Sequence, residues 1–176
     1  MNKENKELYS KLYYESKIAK YPSFKGKEHL LPPPKLKETC TKDLEDLIIR
    51  FLKLNKHDAW KQETIGKIID KREENIDFSG NKRIIGSIIR VKSSERVGRG
   101  DIGAKIMINI NGIIIPVAVE LEIKWQKDYQ RESQIKYQKN LEEIGGLYFI
   151  IKTFDQFIEW YDNFIIDFKN EILNRK

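Results

Sequence analysis

Asp101, Glu120, Glu122 and Lys124 are the residues of this chain best placed by type and spacing to do chemistry. Ile102, Ala104, Ile106, Ile108 and Ile110 alternate with polar or small residues, and so do Ile113, Ile115, Val117, Val119, Leu121 and Ile123. Between the two runs stands Asn111-Gly112, a pair favoured in two-residue hairpin turns because both central positions need positive φ. With that turn Ile110 faces Ile113, and counting outward Asp101 falls opposite Glu122, their Cβ atoms about 4.5–5.5 Å apart. Strand parity adds Glu120 and Lys124 to the same face. Two carboxylates this close repel each other unless a cation sits between them. Hard oxygen ligands with positions left for water suit Mg²⁺ or Mn²⁺. Two observations temper this. Pro116 cannot donate a ladder hydrogen bond and marks an edge or a bulge; a bulge would slide the register by one, with Glu122 and Lys124 still sharing a face. A solvated face of a half-exposed sheet also accounts for these four residues, and Glu-x-Lys recurs at Glu4-Asn-Lys6 and Glu15-Ser-Lys17.

The elements that must hold this hairpin follow from periodicity. Leu44, Leu47, Ile48, Phe51 and Leu52 recur at helical spacing after Thr41, which reads as the N-cap. A short strand is expected around Ala59-Trp60-Lys61-Gln62. In residues 64–97, Ile84–Val91 look strand-like and the acidic, glycine-containing stretch before them reads as a loop. After the hairpin the pattern predicts a helix over 130–144, with Tyr137, Leu141 and Ile144 inward and Gly145 as its stop. A buried strand, Leu147–Ile151, follows, and the capping box Thr153-Phe-Asp-Gln156 opens the last helix. The order of helix, strands, helix, strand, helix implies an α/β fold: a mixed central sheet flanked by helices. Residues 1–38, polar and tyrosine-rich and ending in Pro32-Pro33-Pro34, read as an arm and linker outside a main domain at 39–176.

The whole chain bounds the function. Its 176 residues suit one domain with a real core. The longest apolar runs are a few residues, far from the roughly 20 of a transmembrane helix, and the charged start lacks a secretory h-region. One cysteine and two histidines exclude an internal disulfide and a structural zinc site. These features point to a cytoplasmic protein with no membrane partner. A net charge of +6 favours a polyanionic partner. Lys82, Arg83, Arg90, Lys92, Arg96 and Arg99 precede Asp101 with only Glu95 against them, which makes Arg90, Lys92, Arg96 and Arg99 candidate contacts to nucleic-acid phosphates.

Gly98-Arg99-Gly100-Asp101-Ile102 followed by Val119-Glu120-Leu121-Glu122-Ile123-Lys124 resembles the PD-(D/E)xK nuclease core, and more specifically its VRR-NUC branch. The Ala59–Gln62 strand, Ser133-Gln134 opening a helix and Gly145-Gly146 closing it fall in the family's order, so the resemblance covers roughly residues 41–160. Gly100 stands where the family usually has proline, Glu120 is an additional acid, and the segment between Gln62 and Asp101 is long. The resemblance implies a Mg²⁺- or Mn²⁺-dependent DNA endonuclease that cuts branched, junction-like DNA and dimerises, as small virus-type members do. Alternatives are a flap- or nick-directed nuclease and a catalytically inert DNA-binding module of a larger assembly. It implies Asp101, Glu122 and the carbonyl of Ile123 as metal ligands. Asp43 best matches the first-helix acid, with Glu45 nearby. Lys124 would orient or deprotonate water or neutralise transition-state charge, and Gln134 would stand at the rim, though a polar helix start explains it equally. Arg99 would reach a flanking phosphate or serve as an ordinary surface arginine; Trp125 would stack on a base or pack in the core or dimer.

Overall fold

The computed structural model describes residues 1–62, 68–76, 79–90 and 98–174. In chain order it forms α1 (Lys3–Lys20), α2 (Thr41–Leu54), β1 (Asp58–Lys61), β2 (Ile68–Asp70), β3 (Glu73–Ile76), β4 (Lys82–Ile85), β5 (Ile88–Arg90), β6 (Ile102–Ile110), β7 (Ile113–Ile123), α3 (Glu132–Glu143), β8 (Leu147–Ile151) and α4 (Phe154–Asn174). The chain divides into two compact units, residues 1–62 with 98–176, and residues 63–97.

The first unit is built on a mixed four-stranded sheet in the order β1-β6-β7-β8. β1, β6 and β7 run antiparallel, and β8 joins β7 in parallel after the α3 crossover. The hairpin has the register its alternation implies, with Ile110 paired to Ile113 and Ile102 to Leu121. Asn111 and Gly112 take φ of 51° and 87°, the left-handed turn geometry that glycine adopts without steric cost. Pro116 causes no slip: it pairs with Met107, and β8 joins β7 only from Val119 onward, so the proline lies where β7 is an edge.

Ile102, Ala104, Ile106 and Ile108 are buried against α2 and α4, together with Leu44, Leu47, Ile48, Phe51, Phe154 and Phe157. Each fully buried aliphatic side chain contributes about 1.5–3 kcal/mol. Residues of opposite parity face α3, whose Gln134 and Tyr137 reach Glu122 and Glu120. The α/β class, with a mixed sheet flanked by helices, is therefore as expected.

Four local expectations are corrected. The first 38 residues are not an arm outside the domain. Tyr9 is 1% exposed and packs edge-on against Phe154, and Leu12, Tyr13 and Leu36 border the same core. Thr41 is the first helical residue rather than the N-cap, because Asp43 reaches back to the backbone and hydroxyl of Thr39 and starts the helix after Cys40. Ile144 is 78% exposed, since α3 stops one residue earlier and the chain turns at Gly145. The acidic stretch expected as a loop forms β3, paired antiparallel with β4, while the run from Ile84 is split at Gly86-Ser87 into β4 and β5, with Val91 outside the described residues. In this second unit β5 pairs with β2. Thr153 does cap α4, accepting the Gln156 N–H at 3.1 Å, while the Gln156 side chain accepts from Lys152 N. Among the described residues no helix is long and apolar enough to cross a membrane.

Candidate active site

The hairpin register carries Asp101, just before β6, to the end of β7. Ile123 N–H donates to Asp101 Oδ2 at 2.8 Å, and the Asp101 carbonyl accepts from Gln62 N–H at 2.8 Å. Asp101 is thus fixed between two strands at the mouth of the sheet. The turn that delivers it is held by Glu120, whose Oε2 accepts from Gly100 N–H at 3.1 Å. Glu120 Oε1 takes Tyr137 O–H at 2.9 Å and lies 3.3 Å from Arg99 Nε. The additional acid is therefore a brace behind Asp101.

Glu122 is 1% exposed, and its carboxylate is surrounded by donors. Lys124 Nζ lies 2.8 Å from Oε1, Gln134 Nε2 donates to the same oxygen, and Tyr148 O–H donates to Oε2 at 2.9 Å. Lys124 Nζ also donates to Gln134 Oε1 at 3.0 Å, and that oxygen accepts Arg131 N–H at the start of α3. Asp128 approaches Lys124 at 3.5 Å. The β7–β8 ladder continues through Lys124 N–H to the Ile151 carbonyl, which fixes the lysine's backbone.

Burial decides the electrostatics. Desolvation raises the Asp101 pKa above the ordinary aspartate value, and the Ile123 N–H, Lys124 and Lys61 only partly reverse it. Burial also raises Glu122, with Lys124 opposing; the Asp101 charge raises it further and the Tyr148 hydrogen bond lowers it. Tyr148 itself is pushed up by burial and by Glu122, so it stays an O–H donor. Glu45, 4% exposed on α2, is raised by burial and contacts Lys61, which it raises in turn. Asp101 and Glu45 feel each other's charge.

The expected site residues separate clearly. Asp101, Glu122, Ile123, Lys124 and Gln134 come together. Asp43 does not: its carboxylate is engaged by Thr39 and by Lys37 at 3.6 Å at the start of α2. Two residues along a helix is more than half a turn, so Glu45 lies on another face of α2, where it senses the Asp101 charge. Arg99 is tied to Glu120, and Arg90 pairs with Ile68 in the second unit; Lys92 and Arg96 lie outside the described residues. Tyr148, Lys61 and Asp128 join the site without having been singled out by the sequence pattern. Lys61 shares a strand face with buried Ala59 along β1, a signal that could have found it; nothing local marks Tyr148.

The donor set fits a hard divalent cation. Two buried carboxylates, Glu45 and Glu122, and the half-buried Asp101 all have their pKa raised by desolvation, and oxygen is the atom Mg²⁺ and Mn²⁺ prefer. Among the described residues no three carboxylate, histidine or cysteine side chains form a ready cage. Mg²⁺ characteristically takes one or two carboxylates and keeps several waters. The fold and site together define an α/β protein whose mixed sheet carries a buried carboxylate–lysine centre. Comparison with protein-family models, curated proteins and solved structures found no match to this chain.

Proposed function

We propose that this chain is a metal-dependent DNA endonuclease of the VRR-NUC type within the PD-(D/E)xK superfamily, acting on branched, junction-like DNA. The observation that carries the reading is the convergence of Asp101 with Glu122 and Lys124. Across the hairpin Asp101 accepts the Ile123 N–H, and Glu122 and Lys124, two apart in sequence, form a buried ion pair beside it. A solvated sheet face, the bland account of the same residues, does not bury its glutamate and lysine to 1% and 4% exposure.

Asp101 and Glu122 would hold Mg²⁺ or Mn²⁺, with the Ile123 carbonyl beside them and Glu45 within electrostatic reach. When bound, the ion supplies Lewis acidity toward the scissile phosphate. The protein's own groups do the rest. Tyr148 and Gln134 lock the Glu122 carboxylate in one orientation, so it need not reorganise during the reaction. Lys124 brings an ammonium to the same place, where it offsets the charge that builds as water adds to phosphorus and the ester oxygen departs. A second copy would supply the opposing cut on a four-way junction, which makes a homodimer part of the proposal.

The test is a gel series with junction, flap, nicked and linear DNA in Mg²⁺ or Mn²⁺, using wild type, Asp101→Asn and Glu122→Gln. Wild type should cut the branched substrates first, and both variants should be inactive while circular dichroism stays unchanged. Either variant cutting at the wild-type rate overturns the site. Binding in Ca²⁺ without cutting in any metal would identify an inert DNA-binding module instead.

A further inference from the structure

Glu45 is the one charged residue among the buried positions of α2; the others are Leu44, Leu47, Ile48, Phe51 and Leu52. Its carboxylate contacts the ammonium of Lys61, the last residue of β1. Taking a carboxylate out of water is costly, and a well-packed apolar residue at such a position is often as stable or more so. Stability alone therefore does not account for the pair. Its location does. Lys61 is paired with Ile102 across the β1–β6 ladder, and the next N–H, that of Gln62, donates to the Asp101 carbonyl at 2.8 Å.

Asp101 thus stands between two carboxylate–ammonium pairs, Glu122 with Lys124 and Glu45 with Lys61. The two ammoniums differ in freedom. The Lys124 side chain is 5% exposed and is held by both Glu122 and Gln134. The Lys61 side chain is 49% exposed, and among the described residues Glu45 is its one hydrogen-bond partner. An ammonium carries three donors, so Lys61 has capacity left for a ligand. Its hydrogen bond to Glu45, opposed by burial, and the charges of Glu45, Asp101 and Asp46 hold its pKa above the ordinary lysine value, which keeps it charged. We infer that Lys61 is a second phosphate-binding ammonium of the catalytic centre, which leaves Glu45 for an oxygen of the scissile phosphate once a divalent cation neutralises the carboxylates. The inference rests on the nuclease reading and deepens it by one substrate-contacting residue.

Charge balance selects that ligand. Fully ionised, Glu45, Asp101 and Glu122 outnumber Lys61 and Lys124 by one charge. A divalent cation turns this deficit into a surplus of one positive charge, which a phosphodiester cancels. Without Lys61 the metal-bound centre would be neutral, with nothing left to attract a phosphate or to offset the charge that grows on it in the transition state. The rim acids do not upset the balance. Asp46 lies 3.6 Å from Arg50, and Asp128 is 56% exposed, where solvent screens it. The same balance makes Lys61 a competitor of the metal, since both are drawn to the same carboxylates.

The experiment compares wild type, Lys61→Met and Lys61→Arg as full chains. Mg²⁺ binding is followed by calorimetry without DNA, and single-turnover cutting is followed at saturating Mg²⁺ and saturating branched DNA. Lys61→Met should bind Mg²⁺ about fivefold more tightly, because a competing positive charge is gone, yet cut about 10²-fold more slowly. Lys61→Arg, which keeps the charge, should stay within about tenfold of the wild-type rate. If Lys61→Met does not fold by circular dichroism, Lys61→Gln, which keeps a donor for Glu45, replaces it with the same expectations. A lysine that merely supports Glu45 would move both readings together, so weaker Mg²⁺ binding alongside a slower rate overturns the inference. Cutting by Lys61→Met at the wild-type rate also overturns it and leaves the nuclease reading intact. A wild type that cuts no DNA in Mg²⁺ or Mn²⁺ overturns the nuclease reading and this inference with it.

Discussion

Consider Asp101→Asn, which keeps the side-chain volume and an oxygen for the Ile123 N–H but removes one half-buried charge. Opposed carboxylates with Cβ atoms about 5 Å apart repel by about 3 kcal/mol at an effective dielectric constant near 20. Lys124 and Lys61 offset part of this, but the raised pKa of Asp101 means that ionisation remains unfavourable overall. Without metal the variant should therefore be more stable than wild type near neutral pH, by about 1 kcal/mol. The pH dependence follows in sign. Because Asp101 and Glu122 are raised in the folded state, their contribution is full below the ordinary values of 3.8 and 4.5 and is lost as pH climbs through the folded values. Excess Mg²⁺ should reverse the order. At a hundredfold over its dissociation constant a ligand adds about 2.7 kcal/mol to wild type, most of which the variant forgoes. The assay is urea unfolding followed by tryptophan fluorescence, in chelator and in Mg²⁺, from about pH 4 to 8. A variant less stable than wild type in chelator, or a wild type indifferent to Mg²⁺, would refute the reasoning.

Glu45→Gln should weaken Mg²⁺ binding about tenfold by calorimetry, whereas Asp43→Asn should leave it unchanged; the opposite pattern would restore Asp43 to the site. Lys124→Ala should lower turnover by about 10²–10⁴ while Mg²⁺ still binds, since a protonated lysine is no ligand; single-turnover rates and calorimetry separate the two effects. Replacing Arg90, Lys92, Arg96 and Arg99 together by Ala should reduce the log–log salt slope of DNA binding in Ca²⁺ by about 0.9 for each phosphate no longer neutralised; equal slopes would return them to ordinary surface charge. His57 accepts the Met107 N–H on Nδ1 at 3.1 Å, so its proton is on Nε2, 2.6 Å from Tyr161 Oη. Burial lowers its pKa, so its contribution is present above about 6.5 and is lost as pH falls toward the folded value. The urea midpoint measured in Mg²⁺ should drop between about pH 7.5 and 5.5, and His57→Asn should flatten that drop.

The hairpin was legible because its information is local: alternation fixes which face is buried, and Asn111-Gly112 fixes the register, so the meeting of Asp101 with Glu122 could be read by counting. The class of fold was legible for the same reason, since α2, β8 and α4 each carry a dense apolar period. α1 was not. Its anchoring residue is Tyr9, an aromatic with a polar tip in an otherwise charged helix, while the leucine at position 8 is 38% exposed. The choice between Asp43 and Glu45 turned on helix phase against a partner, Lys61, that belongs to another element. Tyr148 reaches Glu122 only because β8 returns in parallel beside β7 after a helical crossover, and a single sequence does not encode that pairing in its local pattern.

β1 and β6 lie side by side, with Lys61 paired to Ile102 and Gln62 bonded to Asp101, so the chain leaves the sheet and re-enters it at adjoining points. Topologically, everything from 63 to 97 occupies the place of a hairpin loop. Loop closure grows only with the logarithm of length, so trimming that segment roughly ninefold, to a short turn, would change the closure cost by about 2 kcal/mol. Such a junction is a natural seam for recombination. Whole modules can be exchanged there, in a genome or at the bench, while the carboxylate hairpin evolves under its own constraints.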